Sequence, residues 1–204
     1  MGRNKKINEQ MKDERKQQIF SSALKLFSRR GLSATKIADI AKDANFSQGL
    51  IYHYFRSKDE IFVQLIKMAF IKLNSAAEQL ETFDLQPLQK IKMAYETLMD
   101  GLVNNDDAAL THLLIATSSA SDSVPSEARR IIQNEYHYPY KVMARIIAAG
   151  QKEGTIIQKN PEELALLFWS AIRGLSIYRA VHGENFMIPD VDIILKMFKN
   201  KEKM

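Results

Sequence analysis

The chain has 204 residues, of which 46% are hydrophobic, and a formal net charge of +5. This length and composition are typical of a folded protein with one core and room for a second, smaller one. The absence of cysteine excludes disulfides and thiolate zinc sites, and no apolar run approaches the length of a membrane span. The polar start, MGRNKKINEQMKDERK, lacks the apolar segment of a secretory signal, so we expect a cytoplasmic protein.

The positive charge is concentrated near the N-terminus. Residues 1–58 hold 13 Lys and Arg against 5 Asp and Glu, whereas residues 59–204 hold 16 against 19. This asymmetry suits an N-terminal segment that binds a phosphate backbone. A solvated basic surface would give the same balance, so charge alone leaves both interpretations open.

Hydrophobic periodicity predicts helices along nearly the whole chain, and no segment alternates with period two. The first predicted helix covers residues 12–30 and stops at Gly31. Two short helices follow, with Thr35 and Ser47 as candidate caps and a break between them at Asn45-Phe46. The later predicted helices cover Ser57 to about Leu80, Pro87 to about Val103, Asp107 through the 110s, Ser126 towards Gln151 with a kink at Pro139, Glu162 to His182, and Asp190 to Lys199. We therefore expect an all-α protein of about nine helices.

The second short helix has an unusual polar surface. It carries Gln48, Gly49, Tyr52, His53 and Tyr54, where an ordinary surface helix would carry Glu and Lys. Hydrogen-bonding and closely approachable groups on one short helix are typical of a helix-turn-helix whose second helix enters the DNA major groove.

Residues 31–60, GLSATKIADIAKDANFSQGLIYHYFRSKDE, resemble the DNA-binding signature of the tetracycline-repressor (TetR) family of bacterial regulators. The matching positions are Gly31, Thr35, Ile40-Ala41, Gly49, Tyr52 to Phe55 and Lys58-Asp59. GQKEGTI at 150–156, followed by NPEELALLFWSAIRGL, resembles the junction between the family's seventh and eighth helices. The family often has Ala-Gly-Val where this chain has Ala44-Asn45-Phe46, and Asn tolerates the left-handed backbone that such a turn requires.

The resemblance implies a basic helix-turn-helix DNA-binding domain at 1–58, with a flexible N-terminal arm, and a helical ligand-binding and dimerisation domain at 59–204. Gln48 would read a base edge, such as adenine, and Gly49 would let the backbone approach closely. Tyr52, His53 and Tyr54 would reach phosphates or thymine methyl groups, and we expect one of the three to be buried instead. The remaining candidates, all for phosphate contact, are Thr35, Lys36, Ser47 and Lys58.

A homodimer is expected because one helix-turn-helix reads only a few base pairs. The helices near 162–182 and 190–199 are the expected interface, since they carry more apolar residues than one side of a surface helix needs. Ser170 and Gly174 lie four apart and would admit a close partner helix. A helix buried wholly within one chain would show the same pattern.

The resemblance also implies an apolar pocket for a small-molecule effector. Arg173 stands out because it lies within an apolar run, and it could bind an anionic ligand or pair with an acid across the dimer. Met and aromatic residues at helical spacing are more often core than pocket. The candidates are Met68, Tyr95, Met99, His112, Tyr136, Tyr140, Met143, Trp169 and Arg173.

The expected function is a ligand-responsive repressor that binds a palindromic operator as a homodimer and is released by a small, largely apolar molecule. No cofactor, metal or catalytic residue is expected, because the four histidines lack metal-ligand spacing and no nucleophile motif is present. The alternative is an all-helical adaptor that binds a protein partner. An adaptor would leave unexplained why basic charge, Gly49 and the tyrosines coincide.

Overall fold

The computed structural model describes residues 2–119, 121, 123–183 and 186–200. The predicted all-α fold is confirmed: these residues form helices and no strand, apart from one isolated bridge between Ile156 and Lys199. The helices are α1 (Gly2–Ala34), α2 (Ile37–Asp43), α3 (Gln48–Tyr54), α4 (Lys58–Thr82), α5 (Pro87–Asn104), α6 (Asp106–Ser119), α7 (Ser126–Glu135), α8 (Tyr138–Lys152), α9 (Pro161–His182) and α10 (Val191–Lys196).

The chain divides into two compact units. The first contains Met1–Met68 and Leu113–Ile132, and the second contains Ala69–His112 and Gln133–Met204. Helices α4, α6 and α7 each contribute residues to both units. The functional boundary expected at residue 58 therefore stays a prediction.

The first unit is built on aromatic contacts between α1 and the helices that follow it. Phe20 packs edge-on against Phe55 at 5.2 Å, and Phe27 packs against Phe62 at 5.5 Å. Helix α1 begins at Gly2, earlier than the predicted start near residue 12, because good helix formers such as Lys, Glu, Gln and Met fill this segment. At Gly31 the backbone leaves the helical region (φ 78°), as the sequence predicts.

The turn between α2 and α3 has the geometry that its asparagine predicts. Asn45 has a φ of 57°, in the left-handed region. The Phe46 N–H donates to the Ala41 carbonyl at 2.8 Å and the Asn45 N–H to Lys42 at 3.2 Å, which is the Schellman pattern of helix termination. Phe46 itself is only half-buried, whereas Ile51 and Phe55 are fully buried.

The second unit has a core formed by α5, α8, α9 and α10. Phe168 of α9 lies 6.4 Å from Phe198, just beyond α10. Gly150, near the end of α8, lies where any side chain would overlap Ile156 and Pro87. The chain after α8 is held by an Ile157 N–H bond to the Phe198 carbonyl at 2.9 Å.

The prediction of a single kinked helix between residues 126 and 151 is wrong. Two helices occupy this segment: α7 ends at Glu135 and α8 begins at Tyr138. Pro139 lies in the first turn of α8, where the missing N–H has no helical partner to lose. The proline therefore starts a helix and does not bend one.

Helix α9 is long and apolar enough to cross a membrane by length and composition, with a mean hydropathy of 1.3. Its composition has a simpler cause in this fold, because one face of the helix lies in the core of the second unit. That face contains Leu164, Ala165, Phe168, Trp169, Ile172 and Ser176.

Candidate functional site

Helix α3 is anchored by its ends and one buried residue. The Ser47 side chain accepts a hydrogen bond from the Leu50 N–H at 3.2 Å, so Ser47 caps the helix as predicted. Ile51 is fully buried, and Phe55 follows the helix as a second buried anchor. These contacts hold the opposite face of α3 towards the solvent.

The exposed face of α3 carries the side chains that the sequence pattern singles out. Gln48, Tyr52 and His53 are exposed, with Tyr52 at 55%, and Tyr54 is partly exposed. The expectation that one of Tyr52, His53 and Tyr54 is buried is therefore wrong. All of these groups are therefore available to an external partner.

Gly49 lies on this face in the first turn of α3, where no described neighbour requires a glycine. A Cβ built on Gly49 would meet only the Ser47 Oγ, at 3.9 Å. Glycine inside a helix costs about 1 kcal/mol relative to alanine. No neighbouring atom in the described structure needs this space, and close approach of another molecule stays the predicted role of Gly49.

The expected role of Thr35 as the cap of α2 and as a phosphate contact at that helix start needs correction. Thr35 is fully buried, and its hydroxyl donates to the Gly31 carbonyl at 2.8 Å. Lys36 takes the N-cap position of α2, and its N–H donates to the Asp39 carboxylate at 2.9 Å. Thr35 closes the end of α1, and the exposed Lys36 side chain remains the candidate for phosphate.

The expected phosphate contact of Lys58 also needs correction. Its Nζ donates to the carbonyls of Leu32 at 2.8 Å, Ser33 at 3.3 Å and Thr35 at 2.9 Å. An ammonium has three hydrogens and no further donor. Lys58 therefore ties the start of α4 to the end of α1.

We expect Lys58→Met to lower the free energy of unfolding by about 1–3 kcal/mol, because three carbonyls lose a charged donor. Urea denaturation followed by circular dichroism measures this loss. Lys36→Met, at an exposed position, is the matched control and should leave stability nearly unchanged. Unchanged stability in Lys58→Met, with a weaker salt dependence of DNA binding, would instead restore Lys58 as a phosphate contact.

A second group of candidate residues meets in the second unit, at the start of α8 and the middle of α9. Tyr136 and Tyr140 stack at 5.8 Å with an interplanar angle of 16°, and Tyr140 lies 5.7 Å from Trp169. The Arg173 guanidinium lies 4.0 Å from the Tyr136 ring centroid. The Trp169 Nε1 donates to the Pro139 carbonyl at 3.1 Å, which fixes the indole beside these rings.

The electrostatics of this aromatic cluster centre on Arg173. Burial lowers the pKa of Arg173 to about 10. Burial, together with the positive charge of Arg173, lowers the pKa of His112 to about 4, so His112 is neutral at physiological pH. Burial raises the pKa of Tyr140 to about 12, which keeps its hydroxyl protonated.

Three of the other expected pocket residues belong to the same hydrophobic core as Trp169, and the fourth lies in the first unit. Tyr95, Met99 and Met143 are buried in the core of the second unit, and the Tyr95 hydroxyl donates to the Pro189 carbonyl at 2.6 Å. Met68 belongs to the first unit and is 41% exposed. Their roles in ligand binding stay predictions.

Asn74 is a polar residue that the sequence interpretation missed. Its Nδ2 donates to the Glu135 carboxylate at 2.8 Å, which leaves its buried Oδ1 without a partner among the described residues. The amide cannot be reversed, because the carboxylate would then face an oxygen. A signal was present, since Asn74 interrupts the apolar stripe of α4 four residues after Phe70 and three before Ala77.

Comparison with known proteins gives matches over both the N-terminal region and the whole fold. Residues 19–65 match the family model described as bacterial regulatory proteins, tetR family. HbdR, an HTH-type transcriptional regulator of Aromatoleum sp., is 49% identical over 55 residues, 27% of this chain and 24% of HbdR. NicS, an HTH-type transcriptional repressor of Pseudomonas putida, is 23% identical over 148 residues, 72% of this chain and 68% of NicS.

The fold is shared with solved structures at low sequence identity. The crystal structure of the MbdR regulator from Azoarcus sp. CIB has a TM-score of 0.75 and 22% identity, over 89% of this chain and 95% of that one. The matched family segment includes the whole of α2 and α3, with Gly49 and the other exposed residues of α3. Residues 19–65 of this chain therefore match the tetR family of bacterial regulatory proteins, and its fold is shared with a solved bacterial regulator.

Proposed function

We propose that this protein is a homodimeric, ligand-responsive repressor that binds a palindromic DNA operator through α3. The observation that carries the proposal is Gly49, an exposed helical glycine that nothing in the fold requires. The surrounding side chains of Gln48, Tyr52 and His53 supply hydrogen-bonding groups for base edges and phosphates. Such a regulator acts in the cytoplasm, where the operator is.

The excess of basic charge in residues 1–58 supports this assignment of the DNA-binding face. Positive charge on the segment that carries α3 draws the protein to DNA and makes its affinity dependent on salt. Ser47 lies at the N-terminus of α3, where the free backbone N–H groups favour binding of a phosphate.

A second copy of this chain is the proposed partner of α9 and α10. Five apolar residues of α9 are exposed, and so are one apolar residue of α10 and Met197, which follows that helix. A Cβ built on Gly174 of α9 would meet no atom within 4 Å. Two-fold symmetry would place two recognition helices on successive major grooves, about 34–36 Å apart. The exposed apolar residues are Leu166, Leu167, Ile177, Tyr178, Val181, Ile193 and Met197.

The proposed switch would act through α4. Glu81 on this helix forms a two-bond ion pair with Arg145 of α8, at 2.6 and 2.7 Å, and Tyr138 donates to Glu78 at 2.8 Å. Helix α8 also carries Tyr140. A ligand that contacts Tyr140 would therefore contact the helix that these hydrogen bonds join to α4. A coupling of about 1–3 kcal/mol between ligand and DNA would already change operator occupancy.

Selection of bound sequences from a random duplex pool, at two salt concentrations, tests the DNA-binding proposal. We expect a palindrome whose affinity falls with salt. Recovery of no enriched sequence would contradict specific binding and would favour a protein partner for the helix-turn-helix.

Gly49→Ala is expected to separate folding from DNA binding. The added methyl should stabilise α3 by up to about 1 kcal/mol, since it replaces a helical glycine in open space. The same methyl should lower operator affinity about 10-fold, roughly the value of one good base contact. Denaturation and gel-shift titration measure the two effects. Gly101→Ala, at another open helical glycine, should stabilise the protein without changing DNA affinity; equal affinities in both variants would contradict the role of Gly49.

A further inference from the structure

Arg173 is a half-buried cation that no anion among the described residues accompanies. Its guanidinium lies over Tyr136 and within 5.5 Å of the Tyr140 centroid, and in the part of the chain that the structure describes it makes no ion pair or hydrogen bond. A partly buried charge that no opposite charge compensates is costly to the folded state. The arginine therefore offers its donors to a group that the described residues do not supply.

The groups around Arg173 are also suited to an anion. His112 lies close enough to respond to the arginine charge and is held neutral. The Tyr140 hydroxyl is protonated and has no hydrogen-bond partner among the described residues. The Arg173 cation lies 5.5 Å from the ring centroid of Tyr140, whose hydroxyl is unpartnered, and neither is paired with a carboxylate among the described residues. This combination favours a negatively charged ligand.

The aromatic rings beside Arg173 define the other part of the ligand. Tyr136 and Tyr140 are stacked, and Tyr140 and Trp169 are inclined by only 36°. The rings offer apolar, polarisable surface next to the charge, which suits a ligand with a flat apolar body.

We propose that this cluster binds an effector that carries an anionic group, such as a carboxylate or sulfonate, on a flat apolar body. Arg173 and the Tyr140 hydroxyl would hold the anionic group, and the rings of Tyr136 and Trp169 would contact the body. The inference rests on the proposed function, in which a small molecule controls DNA binding, and it adds the chemical class of that molecule. A purely structural cation–π contact and an acid from a second copy are the competing roles for Arg173.

Two fluorescent probes with the same aromatic body test the proposal. Anilinonaphthalene sulfonate carries the anionic group, and phenylnaphthylamine lacks it. Each is titrated into the full-length protein without DNA, for the wild type, Arg173→Gln, Arg173→Lys and Lys141→Gln. Lys141 is an exposed residue next to Tyr140, so its substitution removes a nearby charge without touching the cluster. Thermal unfolding and sedimentation of each variant report its stability and oligomeric state.

We expect Arg173→Gln to weaken sulfonate binding about 10-fold or more, with phenylnaphthylamine binding unchanged. Arg173→Lys should retain part of the preference, and Lys141→Gln should behave as wild type. Equal losses for both probes, no change for either, or no binding of either to the wild type would overturn the proposal. A change in dimerisation alone would overturn it too, by assigning Arg173 to the subunit interface. Because no DNA is present, a failure of operator selection would leave this result standing.

Discussion

Gly174→Glu is expected to convert the proposed dimer into a folded monomer and to reduce operator affinity by about 100-fold or more. Gly174 lies on the exposed apolar face of α9, between Leu167 and Ile177, and no atom lies within 4 Å of a Cβ built there. The larger charged side chain therefore starts in open space in the described structure, whereas a second copy packed on this face would meet both its bulk and its charge. Operator affinity falls because a monomer binds a single half-site, whereas in a dimer the binding of one subunit holds the second subunit near the other half-site.

Sedimentation equilibrium and gel-shift titration measure these two effects. Gly101→Glu is the matched control, since Gly101 is also an open helical glycine and lies on α5, outside the exposed apolar face of α9. It should remain dimeric with normal affinity. A dimeric Gly174→Glu protein with normal operator binding would show that the exposed face of α9 is not the subunit interface.

Gly150→Ala is expected to destabilise the protein by about 1–3 kcal/mol, the usual cost of overpacking a core. A Cβ at this position would lie 2.5 Å from the Ile156 Cδ1, 2.7 Å from its Cγ1 and 3.0 Å from the Pro87 Cβ. Ile156 is fully buried and has little room to move away. In a chain of this size the melting temperature should fall by roughly 2–4 °C for each kcal/mol.

A double-mutant cycle with Ile156→Ala identifies the cause. The second substitution removes the two Ile156 atoms closest to the new methyl and leaves the Pro87 Cβ at 3.0 Å, so Gly150→Ala should cost less in that background. Strictly additive losses would show that the cost arises from another source than the contact between Gly150 and Ile156.

The helix-turn-helix could be predicted from sequence because its determinants are local. Ser47 caps α3, Asn45 adopts the left-handed turn and Gly31 ends the regular part of α1, each through contacts within a few residues. Exposure of the α3 side chains follows from the period of the helix once Ile51 faces the core. The family resemblance added the DNA-binding role that these patterns suggest.

The roles of several polar side chains could not be read from the sequence. Lys58 matches the family signature, yet its ammonium is bound to the Leu32 carbonyl, 26 residues earlier. Thr35 likewise fits a cap in sequence, and burial turns its hydroxyl to Gly31. The unpartnered oxygen of Asn74 depends on Glu135, 61 residues away.

By itself the sequence determined the helical fold, the turn and caps around α3, and the match of residues 19–65 to the tetR family. These features depend on hydrophobic periodicity, backbone preference and the spacing of nearby residues, all of which can be read within a short segment of the sequence. Only the tertiary structure decided that Lys58 holds the end of α1, that Pro139 starts α8, and that Arg173 lies over Tyr136 without an anion among the residues described. A long polar side chain can reach many partners, and packing of distant segments selects the one it meets.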